Sequence, residues 1–178
     1  MTVTTFHDWV PAQPQGRYEL VRGEIIAMAP GRLRHVIVKG NVARVLREAV
    51  KQAKLPCTVF TDGVSVVIDD ETSYGPDAVV DCGSTLNLDS VIAPNPVIVV
   101  EVTSPSSERN GHSGKVPDCM TDAGISHVLI IDPLQRRLVH HARGEAGVFL
   151  TWILREGDTV VLEPPGVQVA VAGMFEDA

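Results

Sequence analysis

The run Pro96-Val97-Ile98-Val99-Val100-Glu101-Val102 constrains this chain more than any other segment. Its β-branched residues read as a strand in a folded core. One position breaks the pattern. A carboxylate at Glu101 is excluded by its desolvation cost unless it is paired or binds a cation, and a metal site is the economical explanation. Alternation along the strand puts Val97, Val99, Glu101 and Thr103 on one face and Ile98, Val100 and Val102 on the other.

A second acid, Asp77 in Gly75-Pro76-Asp77-Ala78-Val79-Val80, opens the preceding strand. Antiparallel pairing of the two strands places Asp77 and Glu101 at the same edge of the sheet. Two hard oxygen ligands with few imidazoles or thiolates nearby suit Mg²⁺ or Mn²⁺ better than zinc. A neighbouring lysine, Lys115, would supply the positive charge that a phosphoryl-transfer transition state requires. Each residue also has a plainer reading. Asp77 after Pro76 fits a turn at a strand start, and Glu101 fits a structural ion pair with Lys115.

The 178 residues, 44% of them hydrophobic, suit one domain over residues 1–178 with a single sizeable core. The start has neither a basic segment nor an apolar one of the kind that directs secretion, and no later apolar run approaches membrane-spanning length, so a cytoplasmic protein without a membrane partner is expected. Cys57, Cys82 and Cys119 form no C-x-x-C pair and are expected to be small core-facing hydrophobes rather than a disulfide framework. A net charge of −7 excludes tight binding to nucleic acid by the whole surface. The distribution is uneven: Arg32, Arg34, Lys39, Arg44, Arg47, Lys51 and Lys54 stand against the single acid Glu48. Arg44, Arg47 and Lys51 fall on one side of a helix, where they form either a phosphate-facing row or a solvated face.

Periodicity gives a mixed α/β chain with a sheet flanked by helices. A short helix is expected from Thr5 to Val10, capped by Thr4, followed by a hairpin turning at Arg22-Gly23 with Glu24 opening its second strand. From Leu33 to Ala53 the apolar positions Val36, Gly40, Ala43, Leu46, Val50 and Ala53 mark a helix buried along one stripe. Strands follow at Cys57–Thr61, Val64–Ile68, Asp77–Cys82 and Val97–Thr103, a helix at Lys115–Asp122, and further strands at His127–Asp132, Arg137–His141, Val148–Leu154, Val160–Leu162 and Val167–Val171. Ser104 and Ser106 lack a histidine partner, which argues against a serine hydrolase. The Ser-, Asn- and Gly-rich stretch they open is expected to be mobile.

The order of several short motifs resembles the Uma2 family of restriction-endonuclease-like proteins, within the PD-(D/E)xK nuclease superfamily. They are Tyr18-Glu19-Leu20-Val21-Arg22-Gly23-Glu24, Arg34-His35, Pro76-Asp77-Ala78-Val79-Val80, Val100-Glu101-Val102-Thr103-Ser104-Pro105-Ser106-Ser107, Lys115, and His127 through Asp132-Pro133. The resemblance covers roughly residues 15–142. It implies a restriction-endonuclease-like mixed sheet flanked by helices, with additional carboxy-terminal strands. It also implies Mg²⁺- or Mn²⁺-dependent hydrolysis of phosphodiesters in nucleic acid, most simply DNA, and a second copy of the chain is a candidate partner, above all for a descendant without activity that acts as a homodimer. By position, Asp77 and Glu101 correspond to the metal-binding acids, Lys115 to the lysine carried on the following helix, and Glu24 to an amino-terminal acid beside the metal. His35 corresponds to a family position of underived role and joins Arg44, Arg47 and Lys51 as a nucleic-acid contact. The chain departs from the family in having Gly111 four residues before the lysine and Cys119 four after it, where an aspartate and an aromatic are common. That departure keeps a second reading open, a catalytically silent module for nucleic-acid or protein interaction.

Overall fold

In the computed structural model of the protein, which describes residues 1–13, 16–83, 85–103 and 114–178, the central layer is a six-stranded mixed sheet. Its order is β10-β9-β8-β7-β6-β3, formed by Phe149–Arg155, Arg137–Arg143, His127–Asp132, Pro96–Val102, Ala78–Cys82 and Cys57–Thr61 respectively. Only β7 and β8 run parallel; the other pairs are antiparallel. A four-stranded sheet, ordered β2-β1-β5-β4, is built from Glu24–Met28, Arg17–Val21, Thr72–Tyr74 and Val66–Asp69. A two-stranded hairpin pairs β11, Thr159–Leu162, with β12, Val167–Ala170.

Both faces of the six-stranded sheet are covered, which is why β7 reads as a nearly unbroken apolar run. One face carries Ala78, Val80, Ile98, Val100, Val102, Leu129 and Ile131 against helix α2, Leu33–Gln52, and the β11–β12 hairpin. The other carries Val79, Val99 and Val128 against Val66 and Tyr74 of the four-stranded sheet and against Cys119 and Met120. By parity Glu101 points to this second face. Among the described residues the fold is thus a mixed α+β layering with few α-helices: α1 at Val3–Trp9, α2, and the five-residue α3 at Lys115–Cys119.

Helix α2 buries Val38, Val42, Leu46 and Val50 at successive four-residue steps, with Lys39 and Ala43 beside them. Each such apolar side chain contributes about 1.5–3 kcal/mol on burial, which anchors the helix firmly enough to hold a lysine out of water. The expected stripe was right at Ala43, Leu46 and Val50 and out of phase at its ends, since Val36, Gly40 and Ala53 are exposed. The hairpin turns at Arg22-Gly23, whose φ values of 51° and 80° fit the paired left-handed positions of a two-residue turn. Helix α1 starts at Val3, earlier than expected, because Thr2 rather than Thr4 caps it by accepting from the Thr5 N–H. Pro117 lies in the first turn of α3, where no intrahelical donor is lost.

The cysteine expectation needs correction. Cys57 and Cys82 face each other in register across β3 and β6, with Cα atoms 4.1 Å apart, and are joined by a disulfide; Cys119 is the free and buried one. A separation of 25 residues hid the pairing, because only the strand register brings them together. Ser104, Ser106, Gly111 and His112, and the loop expected to be mobile, lie outside the described residues. Among the described residues no helix is long and apolar enough to cross a membrane.

Candidate active site

At the carboxy-terminal end of β7 the sheet gathers charge. Asp77 sits one residue before β6, where its N–H donates to the Val100 carbonyl at 3.0 Å and its Oδ2 accepts from the Val102 N–H at 2.8 Å. Glu101 lies on the adjacent strand. Both are nearly inaccessible to solvent, at 4% and 2% relative exposure, so each requires compensation.

For Glu101 the compensation is Lys115, whose Nζ donates to Glu101 Oε1 at 2.7 Å and to Glu19 Oε1 at 2.6 Å. The same ammonium lies 4.9 Å from the centroid of the Tyr74 ring, within cation–π range. Glu19, in the middle of β1, also accepts from the Gly75 N–H at 2.9 Å. For Asp77 the compensation is Lys39, whose Nζ donates to Oδ1 at 3.1 Å and to Asp62 at 2.7 Å. Arg17 completes this side, 2.7 Å from Asp62 and 3.8 Å from Asp77. His35, one turn before Lys39 on α2, brings Nε2 to 3.4 Å from Asp77 Oδ2, and its buried Nδ1 has no hydrogen-bond partner among the described residues. Gly31 permits this approach, since a Cβ there would stand 2.6 Å from that nitrogen.

These surroundings set the protonation states. Burial alone would push Asp77 upward, but hydrogen bonds from His35 and the Val102 N–H, with the charge of Lys39, hold its carboxyl well below the usual carboxylate range. Burial raises Glu101 to about 7, and the carboxylates of Asp77 and Glu19 add to this against the pull of Lys115. Lys115 is desolvated too, yet two carboxylates in contact outweigh that and raise its pKa. Because two acids hold it at hydrogen-bond distance, the lysine is a fixed cation rather than a base.

The helix that presents Lys115 is itself tethered. Asp118 accepts from the Tyr74 hydroxyl at 2.6 Å and lies 3.5 Å from the Arg22 guanidinium. Burial, then the Asp118 hydrogen bond and charge, push the Tyr74 hydroxyl far above the ordinary phenol value.

The structure therefore brings Asp77, Glu101, Lys115 and His35 into one cluster. Glu24 is exposed at the head of β2, opposite Val21 in register, and makes no side-chain bond to a described residue; the acid that this hairpin delivers to the lysine is Glu19. Arg44 instead binds Glu176 at 2.5 Å and the Gly173 carbonyl at 3.3 Å, and Arg47 binds the Val59 carbonyl at 3.3 Å. Lys51 is exposed near the far end of α2. Sequence reasoning passed over Glu19 and Lys39. Lys39 carries a signal, since it lies four and seven positions before Ala43 and Leu46, on the buried face.

Among the described residues no group of three or more His, Cys, Asp or Glu side chains is arranged to hold a metal ion. The two acids do suit Mg²⁺ or Mn²⁺, hard cations that bind through one or two carboxylates and complete their shell with water and phosphate oxygens. Asp77, kept ionised, and Glu101 are the residues that would hold it.

No curated protein matches this chain. A crystal structure described as that of "a putative nuclease belonging to DUF820" from Anabaena variabilis superposes with a TM-score of 0.80 at 16% identity, covering 98% of this chain and 97% of that one. The family model of Uma2, "Putative restriction endonuclease", matches residues 3–172, and the chain belongs to that family.

Proposed function

We propose that this protein is a metal-dependent endonuclease, acting as one domain across residues 1–178, that hydrolyses phosphodiester bonds in DNA. The observation that carries the reading is the convergence of buried Glu101 and Glu19 on Lys115 at one end of the central sheet, with buried Asp77, held by Lys39, beside it. A simple structural ion pair needs one acid per base; here two acids converge on one lysine and a third, Asp77, stands on the neighbouring strand.

Bound by Asp77 and Glu101, Mg²⁺ or Mn²⁺ would polarise a phosphoryl oxygen and acidify an attacking water. The chain's own groups do the rest. Lys115 stays protonated and stabilises the negative charge that develops on the phosphoryl oxygens. Glu19 fixes the direction of its ammonium through a second, opposed hydrogen bond. Lys39 and the Val102 N–H keep Asp77 ionised and oriented. His35, with one ring nitrogen on Asp77 and the other unpartnered among the described residues, is placed to handle a proton or a phosphate oxygen. Arg32 and Arg34, exposed beside His35 at the start of α2, are better phosphate contacts than Arg44 and Arg47, whose guanidinium groups are engaged by the fold. A homodimer fits the same reading, because a duplex presents two strands to cut.

Incubation of supercoiled and linear DNA with the wild type and Asp77→Ala, with Mg²⁺, Mn²⁺ or EDTA, tests the proposal. Metal-dependent nicking lost in the variant is the expected result; DNA left intact by the wild type in either metal would overturn it. One observation favours a second reading, a silent interaction module: both oxygens of Asp77 already have protein partners. In that case DNA binding persists without cleavage, and Asp77→Ala leaves it unchanged.

A further inference from the structure

At the opposite edge of the central sheet from β3, strand β10 has the sequence Phe149-Leu150-Thr151-Trp152-Ile153-Leu154-Arg155, with every residue exposed except Leu154, which is half-buried. Apolar side chains therefore meet solvent on both faces of an edge strand, an arrangement that soluble proteins ordinarily avoid. Hydrogen bonding fixes which backbone groups are free. Val148 O accepts from Gly144 N at 2.7 Å, so the even-numbered residues bond to β9. The N–H and C=O groups of Phe149, Thr151 and Ile153 thus point away from the sheet, and none bonds to a described residue. Arg155 closes the row, since its N–H donates to Asp158 Oδ2 at 2.7 Å and its carbonyl accepts from Asp158 N at 2.9 Å.

We infer that two copies of this chain associate through β10, antiparallel, with Thr151 on the two-fold axis. This register pairs Phe149 with Ile153 of the second copy and Thr151 with itself, so every free donor and acceptor on the strand is used. Centring on Trp152 instead would set Phe149 against Arg155, whose backbone groups Asp158 already holds. The side chains agree with the hydrogen bonds. One face brings Phe149 against Ile153 and threonine against threonine, a favourable cross-strand pair. The other brings Leu150 against Trp152 and Val148 against Leu154. No charged residue falls inside the paired segment, so a self-complementary two-fold contact carries no like-charge penalty.

On the second face Leu150 and Trp152 also line a cavity of about 450 Å³ with His127, His140, Val161 and Glu163. The second copy adds apolar surface along its rim. Two edge strands alone bury less than the roughly 1,600 Å² of a standard interface, so the dimer is expected to be concentration-dependent, with a dissociation constant on the order of micromolar. The inference shares the homodimer of the nuclease reading, but its test does not depend on cleavage.

Sedimentation velocity of the full chain over a concentration series is the measurement. The wild type should dimerise. T151K and T151E should each weaken dimerisation by about a hundredfold or more, because each sets like charges opposite themselves on the axis, and an equimolar mixture should regain the dimer. Circular dichroism checks that both remain folded. If either does not fold, F149E combined with I153K in one chain should dimerise while each single variant does not, since the register sets those two positions against each other. A wild type monomeric to about 200 micromolar, an undiminished T151K dimer, or folded variants whose mixture stays monomeric would overturn the inference. The first of those results would leave the edge to a peptide strand from another protein.

Discussion

Lys115 Nζ lies 2.6 Å from Glu19 Oε1, although 96 positions separate the two in sequence. That contact ties the four-stranded sheet to the helix that follows the central strand, and it makes the lysine part of the core as well as of the site.

Replacing Lys115 by Met should therefore show two separable effects. Without metal, the variant buries carboxylates that lack their cation, and stability should fall by about 3–5 kcal/mol, as when one member of a buried pair is removed. Added Mg²⁺ should recover part of the loss. Turnover should fall by about 10²-fold or more even where the protein is folded, because the lysine acts chiefly on the transition state. Thermal melts with and without metal, beside single-turnover cleavage, measure both; full activity in folded Lys115→Met would remove the lysine from the chemistry.

Metal binding should raise the melting temperature of the wild type, since a ligand that binds only the native state stabilises it by mass action. At a concentration of about one hundred times Kd the gain is about 2.7 kcal/mol, or roughly 5–10 °C for a chain of this size. In Glu101→Gln that rise should vanish. The neutral amide removes one of the two acids proposed to hold the ion, and a melt that still responds to Mg²⁺ would place the ion elsewhere.

Asp118 offers a test of positioning. Asp118→Asn keeps the shape but weakens the hydrogen bond from Tyr74 and the ion pair with Arg22, so α3 should loosen while metal affinity holds. A drop of about tenfold in kcat with stability within about 1 kcal/mol of the wild type is expected. A melting temperature that collapses would mark Asp118 as structural only.

Away from the cluster, burial followed by the neighbouring His127 and His141 lowers His140 from the usual 6.5 to about 4. The unfolded chain takes up its proton below about 6.5 and the folded one only near 4, so the contribution of this group to stability should fall as pH falls across that window and stay constant above it. Glu101, raised to about 7, acts in the opposite sense, so the comparison is between the wild type and His140→Gln, whose urea midpoints should lose less between those values. A pH dependence left unaltered in folded His140→Gln would contradict the assignment.

How much of this was legible in the sequence depends on the range of the interactions involved. Glu101 announced itself because a carboxylate in a valine run violates a local rule, and the Arg22-Gly23 turn because its chemistry is local as well. Glu19 escaped notice: its burial comes from β5 and α3 closing over β1, and β5 is only three residues long, too short for a period to show. The Cys57–Cys82 bond depends on strand register in the same way. Arg44 and Arg47 formed the expected row on the helix, but their partners, the carboxy-terminal residues and the Val59 carbonyl, came from segments whose positions no helical spacing encodes.

Glu101 belongs to the six-stranded sheet, Glu19 to the four-stranded one, and Lys115 to the short helix between them, so the cluster is a keystone rather than a pocket. A nascent or partly unfolded chain in which the two sheets have not yet met has both acids but no assembled cluster. On the proposed nuclease reading, competence to cut would be withheld until the two sheets have met and folding is complete.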